Sequence, residues 1–287
     1  MVTLAILTAV KEYADRMRPS PYTDLDRPPL SAAALRRALV VPGALWGEIV
    51  VTAETGSTNA DVAAAARAGA AEGLVVVAER QTAGRGRLDR QWTSPPRAGL
   101  AVSVLLRPRT SPRWYGWLPL LAGVALVETV RRLGEVDAVL KWPNDVLIDN
   151  RKCAGILAEA VPDAVVLGIG LNVTLKESEL PRPDATSLQL AGAACTDRDP
   201  LLRTFLRTLA DRYERWSAAG GDPEASGLRQ AYRLHCGTLG QRVRIALPDG
   251  ATLAGLASDV DPTGRLVVTG PDGAARPVAA GDVVHVR

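Results

Sequence analysis

The chain has 287 residues, 47% of them hydrophobic and 23% charged, with a formal net charge of +3. That length allows one large domain plus a small one, and that hydrophobicity excludes a disordered chain. The mild basicity falls short of the concentrated charge of a nucleic-acid binder, and Cys153, Cys195 and Cys236 are odd in number and far apart, which fits a reduced cytoplasmic protein with no disulfide or zinc framework.

Residues 2–10 are apolar but too few to span a membrane, and no basic residue precedes them, so no secretory signal is expected. Pro19, Pro21, Pro28 and Pro29 read as a stiff linker, and the segment before about residue 25 as peripheral, with Met17 as an alternative start. Ser31 is placed to cap a helix through Leu39. The core is expected from Gly47, with Ile49-Val50-Val51 as a strand. Ser57-Thr58-Asn59 then precede an alanine-rich helix ending near Gly69. Thr58 and Asp61 have capping-box spacing. A helix N-terminus also offers free N–H groups to anions, so capping and ligand binding are both kept open.

Leu74-Val75-Val76-Val77 reads as a buried strand. It runs into Gln81-Thr82-Ala83-Gly84-Arg85-Gly86-Arg87-Leu88-Asp89-Arg90-Gln91-Trp92, where Arg85, Arg87 and Arg90 place three cations in six residues against Asp89 alone. Gly84 and Gly86 would let the backbone approach a ligand closely or take positive φ. Guanidinium forks suit carboxylate or phosphate, so the reading is a mobile loop that folds over an anion. A solvated basic loop is the alternative.

Leu100 to Leu106 alternates as a strand, and residues 117–133 carry helical spacing that Gly134 stops. Val139 to Ile148 reads as two strands flanking a Pro143-Asn144-Asp145 turn, and Asp149-Asn150 turns again into a strand from Arg151 to Glu159. Val165 to Leu171 follows, ending in Asn172. Adjacent strands without helical crossovers predict an α+β protein with a mixed, largely antiparallel sheet and helices packed on it. Residues 173–187 read as loop, and 198–217 and 223–235 as helices. From Gly237, the turns Pro248-Asp249-Gly250, Pro262-Thr263-Gly264 and Pro271-Asp272-Gly273 punctuate short strands of a small β-barrel of about fifty residues. The expected division is therefore an N-terminal extension and Pro-rich linker over 1–46, a large α+β domain carrying the Arg-rich loop over 47–236, and a barrel over 237–287.

Several familiar sites are excluded. No lysine precedes Ser or Thr as a Walker loop requires. Gly84-x-Gly86 and Gly168-x-Gly170 lack the third glycine of a dinucleotide fingerprint. No serine sits in a nucleophile elbow. His235 and His285 cannot complete a zinc site with these cysteines. Lys11, Lys141, Lys152 and Lys176 are the only lysines, an arginine bias that a GC-rich genome would explain. It singles out Lys141 and Lys152 inside the motifs below.

Ser57-Thr58-Asn59, the Gly84-Arg85-Gly86-Arg87 loop with Trp92, the Lys141-Trp142-Pro143-Asn144-Asp145 turn, the Arg151-Lys152-x-Ala154-Gly155-Ile156-Leu157 strand and Gly168-x-Gly170-x-Asn172 follow one another in that order. Together they resemble the biotin protein ligases. The resemblance implies a fold like the class II aminoacyl-tRNA synthetase catalytic domain, followed by an SH3-like barrel. It also implies the cofactors and substrates ATP, biotin and Mg²⁺, and a partner: the biotin carboxyl carrier domain of an acyl-CoA carboxylase. Fewer than fifty residues precede the first core strand, so a monofunctional ligase is expected, cytoplasmic, monomeric or weakly dimeric, binding neither DNA nor membrane. Asp89 stands where many relatives have glycine, a departure that bears on the loop's distal flexibility.

By this resemblance Lys152 and Arg87 would offset repulsion between the biotin carboxylate and the α-phosphate, with Arg85 ordering the loop and Gly86 among the ligand-binding residues. Ser57, Thr58, Asn59 and Gln81 would match the donors and acceptor of the ureido ring. Asn144, Asp145 and Asn172 would lie near the nucleotide or its Mg²⁺, and Asp145 would also orient or deprotonate the acceptor lysine, a turn role being its alternative. Trp92 would pack on the adenine or on the closed loop. Lipoate or octanoate transfer on the same fold, and a non-catalytic biotin-sensing DNA binder, are the competing readings.

Overall fold

The computed structural model describes residues 26–88, 90–247, 250–279 and 281–285. Met17, Pro19, Pro21, Asp89 and the Pro248-Asp249 pair lie outside the described residues. In chain order the elements are α1 (Ala32–Leu39), β1 (Glu48–Thr52), α2 (Thr58–Arg67), β2 (Leu74–Ala78), β3 (Gly99–Leu106), α3 (Trp117–Gly134), β4 (Ala138–Lys141), β5 (Asp145–Ile148), β6 (Arg151–Val161) and β7 (Ala164–Asn172). Two helices follow, α4 (Arg198–Ala218) and α5 (Leu228–His235), and then β8 (Arg242–Ala246), β9 (Thr252–Val260), β10 (Leu266–Thr269), β11 (Ala275–Val278) and β12 (Asp282–His285).

The first seven strands form one sheet in the order β1-β2-β3-β7-β6-β5-β4. Only β1 and β2 run parallel, joined by the α2 crossover; the other pairs are antiparallel. Both faces of its centre are covered, which is why β2 reads as an unbroken apolar run. Val75 and Val77 point into the main core with α3 and α4, while Leu74 and Val76 join a second cluster under α2 with Val62, Ala66, Leu105 and Val166. Because α2 covers only part of that second face, the rest of β3, β6 and β7 presents small residues there. Ser103 pairs with Gly168, and Gly155 with Gly170. This stretch is the floor of the site described below.

Residues 26–46 do not behave as a free linker. Leu30, Leu35, Leu39 and Trp46 are buried in the main core, and the Trp46 indole donates to Leu206 O on α4 at 3.0 Å. The Pro28 carbonyl accepts from Arg198 Nη2 at 2.6 Å, and Leu30 N–H donates to Glu79 Oε1 at 2.6 Å. Arg198 and Glu79 themselves form an ion pair of 2.5 Å whose side chains are only 5% and 8% exposed. An apolar staple of the kind a Pro-rich stretch does not advertise therefore holds this segment down.

The helix expected from residue 223 begins at Leu228 instead. The Asp222 carboxylate accepts from the N–H groups of Glu224 and Ala225, and Gly227 lies at φ 72°, so the intervening residues form turns. The last five strands make an antiparallel sheet in the order β11-β10-β9-β8-β12. It rests on the main body: Trp117 Nε1 donates to Pro262 O at 2.8 Å and Trp142 Nε1 to Gly264 O at 3.1 Å. No helix among the described residues is long and apolar enough to cross a membrane.

Candidate active site

A cavity of about 570 Å³ opens over the glycine floor. The expected residues Ser57, Thr58, Asn59, Gln81, Arg85, Gly86, Arg87, Trp92, Asn144, Asp145, Lys152 and Asn172 all line it. They arrive from separate segments: the start of α2, the loop after β2, the β4–β5 turn, β6 and the end of β7.

At one end the polar groups interlock. Gln81 Oε1 accepts from Thr58 N–H at 2.8 Å and lies 3.1 Å from the Thr58 hydroxyl. Ser103 Oγ lies 2.7 Å from Thr58 Oγ1 and 2.6 Å from Asn59 Oδ1, and Asn59 Nδ2 donates to Glu159 Oε2 at 2.6 Å. Ser57, Thr58 and Asn59 are all buried. The expected capping box does not form: Ser57 is the N-cap residue, Thr58 N–H goes to Gln81, and Asp61 accepts the Thr55 hydroxyl at 2.7 Å. The cluster thus serves the cavity rather than the helix end.

The arginine loop is a closed hairpin. Gly86 N–H donates to Arg90 O at 2.6 Å and Trp92 N–H to Gly84 O at 2.9 Å, with Arg85 bridged to Gln91. Neither loop glycine has positive φ, and Gly84 is needed for close approach. A Cβ on Gly84 would lie 2.3 Å from Trp92 O, whereas the residue with φ of 55° is Leu88. Trp92 lies against the sheet floor, where a Cβ on Gly170 would come within 2.4 Å of its ring. A Cβ on Gly155 would stand 3.1 Å from the same ring, so Gly155 and Gly170 make room for an indole.

Arg87 and Lys152 face the same space. Arg87 Nη1 donates to Asn144 Oδ1 at 3.0 Å, and Lys152 Nζ pairs with Asp145 Oδ1 at 2.6 Å and stands 5.8 Å from the Trp92 ring centroid. Asn144 is itself held by its Nδ2, which donates to Ile156 O at 3.1 Å. Burial pushes the Arg87 guanidinium below its ordinary pKa, and Asp282 and Asp145 offset this in part. A guanidinium stays charged through such a shift, so it is desolvated yet cationic, the condition in which it acts most strongly on an anion. Asn172 lines the cavity at the end of β7. Its side chain donates to Thr186 O at 2.9 Å and is buried, so it ties the 173–187 loop to the cavity rim. No group of three or more His, Cys, Asp or Glu able to hold a metal occurs among the described residues.

Sequence reasoning missed Ser103, Glu159 and the wall formed by Gly281, Asp282, Val283 and Val284. Ser103 had a signal, a lone hydroxyl inside the apolar Leu100–Leu106 run. The C-terminal wall had none.

The model of the Biotin/lipoate A/B protein ligase family matches residues 55–174, and that of the Biotin protein ligase C terminal domain matches residues 238–286. The Biotin--[acetyl-CoA-carboxylase] ligase of Mycobacterium tuberculosis is 45% identical over 92% of this chain and 100% of its own length.

The chain belongs to the biotin protein ligase family.

The Bifunctional ligase/repressor BirA of Bacillus subtilis is 34% identical over 71% of this chain, which spans 64% of that relative's length. Among solved structures, the biotin protein ligase from Aquifex aeolicus in complex with biotin and ATP superposes with a TM-score of 0.70 at 26% identity, covering 84% of this chain and 100% of that one. The large mixed sheet with its helices and the C-terminal antiparallel sheet are thus the biotin protein ligase fold.

Proposed function

We propose that the chain is an ATP-dependent biotin ligase that activates biotin as biotinyl-5′-AMP and transfers it to a lysine of a biotin carboxyl carrier domain. One observation carries the assignment of the site: Arg87 and Lys152, from two separate segments, converge on one cavity whose far end is a hydroxyl and amide cluster. In the first step a biotin carboxylate oxygen attacks the α-phosphorus and pyrophosphate leaves. Two anions must meet, and Lys152 and Arg87 offset their repulsion and stabilise the charge that develops. A magnesium ion carried by the nucleotide would neutralise phosphate charge, with Asn144 and Asp145 the residues that would lie beside it. Ser57, Thr58, Asn59 and Gln81 receive the ureido ring, and Trp92 with the hairpin shields the anhydride from water.

In the second step the carrier lysine nitrogen attacks the acyl carbon and AMP leaves. Asp145 accepts the proton or orients the amine once Lys152 has turned to phosphate oxygens. Asn144 positions Arg87, and Asn172 holds the loop that borders the nucleotide end. In finer detail we read the large sheet as the class II aminoacyl-tRNA synthetase-like catalytic domain and residues 237–287 as an SH3-like barrel, with the buried segment 30–46 belonging to the catalytic unit.

The test is ATP–pyrophosphate exchange that depends on biotin and not on lipoate, followed by label transfer to a carrier domain. Lys152→Gln is expected to slow adenylate formation by about a hundredfold or more, the range seen when a preorganised charge is removed, while biotin still binds. Exchange supported equally by lipoate would refute the substrate assignment, and an undiminished Lys152→Gln rate would refute the role of Lys152.

A further inference from the structure

We propose that Asp282, at the start of β12, is a positioning residue for the arginine loop: it anchors Arg90 from the C-terminal sheet and so sets how tightly the hairpin closes over the adenylate. This rests on the ligase reading above for its functional consequence, but not for the contact itself.

Arg90 Nη2 and Asp282 Oδ2 form an ion pair between residues 192 apart in sequence. The pair closes the cavity on the side where Asp282 and its neighbours form the wall. Asp282 is held in place by its own sheet. Its Cα pairs with Ala246 of β8, and a Cβ on the preceding Gly281 would lie 2.5 Å from Ile245 Cγ2, so the backbone lies flat against β8. On the loop side, Arg90 N–H donates to Arg87 O at 3.2 Å and Arg90 O accepts from Gly86 N–H. Fixing Arg90 therefore fixes the turn that carries Arg87. The opposite strand of the hairpin is pinned separately, Arg85 Nη2 meeting Glu159 Oε2 at 3.1 Å. Two ion pairs thus moor the loop, one to the large sheet and one to the small one, beside the Arg87–Asn144 hydrogen bond.

The second mooring is adjustable. Its side chains are exposed by 54% for Arg90 and 34% for Asp282, against 46% and 29% for Arg85 and Glu159, so both pairs are weak and screened by salt, and the second differs in reaching across to the small sheet. Asp282 also acts on Arg87, as the larger of the two carboxylate influences on that guanidinium. A phosphate group entering the cavity competes with Asp282 for the same two arginines. The carboxylate holds the hairpin shut enough to be ready, and yields to a stronger anion.

The experiment uses the full chain with Asp282→Asn, Arg90→Gln and the exchanged pair Arg90→Asp with Asp282→Arg. Amide hydrogen exchange over residues 84–92, with no biotin or ATP added, is expected to quicken about two- to fivefold in each single variant, the range an exposed ion pair controls. Exchange in β8 and β9 should stay unchanged, and the exchanged pair should restore protection. Raising NaCl should quicken the wild type more than the single variants, which keep only the Arg85–Glu159 pair to be screened. With biotin and ATP, Asp282→Asn should release its adenylate faster by a similar factor, with the transfer rate constant unchanged. Identical loop exchange in wild type and both single variants would overturn the proposal, as would failure of the exchanged pair to restore it. A protein that exchanged no pyrophosphate would sink the ligase reading alone, because the hydrogen-exchange comparison needs no turnover.

Discussion

A methyl group at residue 168 would sit 2.0 Å from Asn59 Oδ1 and 2.8 Å from its Cγ. The atoms it strikes belong to a side chain, so the sheet can stay as it is while Asn59 is pushed aside. Asn59 would then lose Ser103 and Glu159, its partners at 2.6 Å each. We expect Gly168→Ala to raise the KM for biotin about tenfold, the cost of one mispositioned hydrogen-bonding group, with little change in the KM for ATP. Steady-state kinetics in both substrates checks this. An equal rise for both substrates would mean that the cavity as a whole had deformed. The same logic separates Gly168 from Gly170, whose Cβ would meet Trp92 and not Asn59. Two residues apart on β7, these glycines serve opposite ends of one site.

Among the elements, α3 and α4 are clamped by a carboxylate. Glu128 of α3 accepts from Arg212 Nε of α4 at 2.8 Å, and His235 Nε2 of α5 stands 3.6 Å away. Burial would raise its pKa, but hydrogen bonds from His235 and Arg212 more than offset this and hold the carboxyl at about 2, against an ordinary 4.5. A depressed carboxylate stabilises the fold above its unfolded pKa, and the contribution is lost as pH falls through the folded one. The clamp is therefore complete at neutral pH and disappears between pH 4.5 and 2. Glu128→Gln should cost about 1 kcal/mol at pH 7 and nothing near pH 2, so the two denaturation curves should converge on acidification. Parallel curves down to pH 2 would show that Glu128 has no such role.

Elements were also where the sequence spoke most clearly. Leu74–Ala78 announced itself as an apolar run because both faces of the sheet are covered there. Ala164–Asn172 did so because one face lies in the main core while the other passes under α2 at Ala164 and Val166 before its glycines reach the cavity floor. The Lys141–Asp145 turn and the Gly84–Arg87 loop were legible because their chemistry is local. What stayed hidden was set by distant partners. Nothing near Pro28 signals that its carbonyl will meet Arg198, and Thr58 looked like a capping residue because Gln81 is 23 positions away. Asp282 was one acidic residue in a hairpin-rich tail until the fold set it against Arg90.

For the whole molecule, the question is whether the two sheets are one cooperative unit. The sequence boundary near residue 237 suggests two. The packing argues for one, since a single cluster of buried apolar residues includes Val75 and Leu167 of the large sheet together with Val243, Ile245, Val268 and Val283 of the small one. Trp117 and Trp142, both nearly fully buried, reach across to the carbonyls of Pro262 and Gly264 in the β9–β10 turn. Gly237 N–H donates to Leu140 O at 2.9 Å, so even the connecting segment is tied to β4. Separating the sheets would uncover two indoles, each burying roughly 200 Å² or more, and leave their N–H groups unpaired. That outweighs the conformational freedom gained by releasing a small sheet that lacks an independent core of its own size. We therefore expect one calorimetric transition for the full chain, with van't Hoff and calorimetric enthalpies equal. Trp142→Ala should lower that single transition. If the same substitution splits the endotherm in two, the small sheet melts on its own, and the wall it gives the cavity is a docked part instead of an integral one.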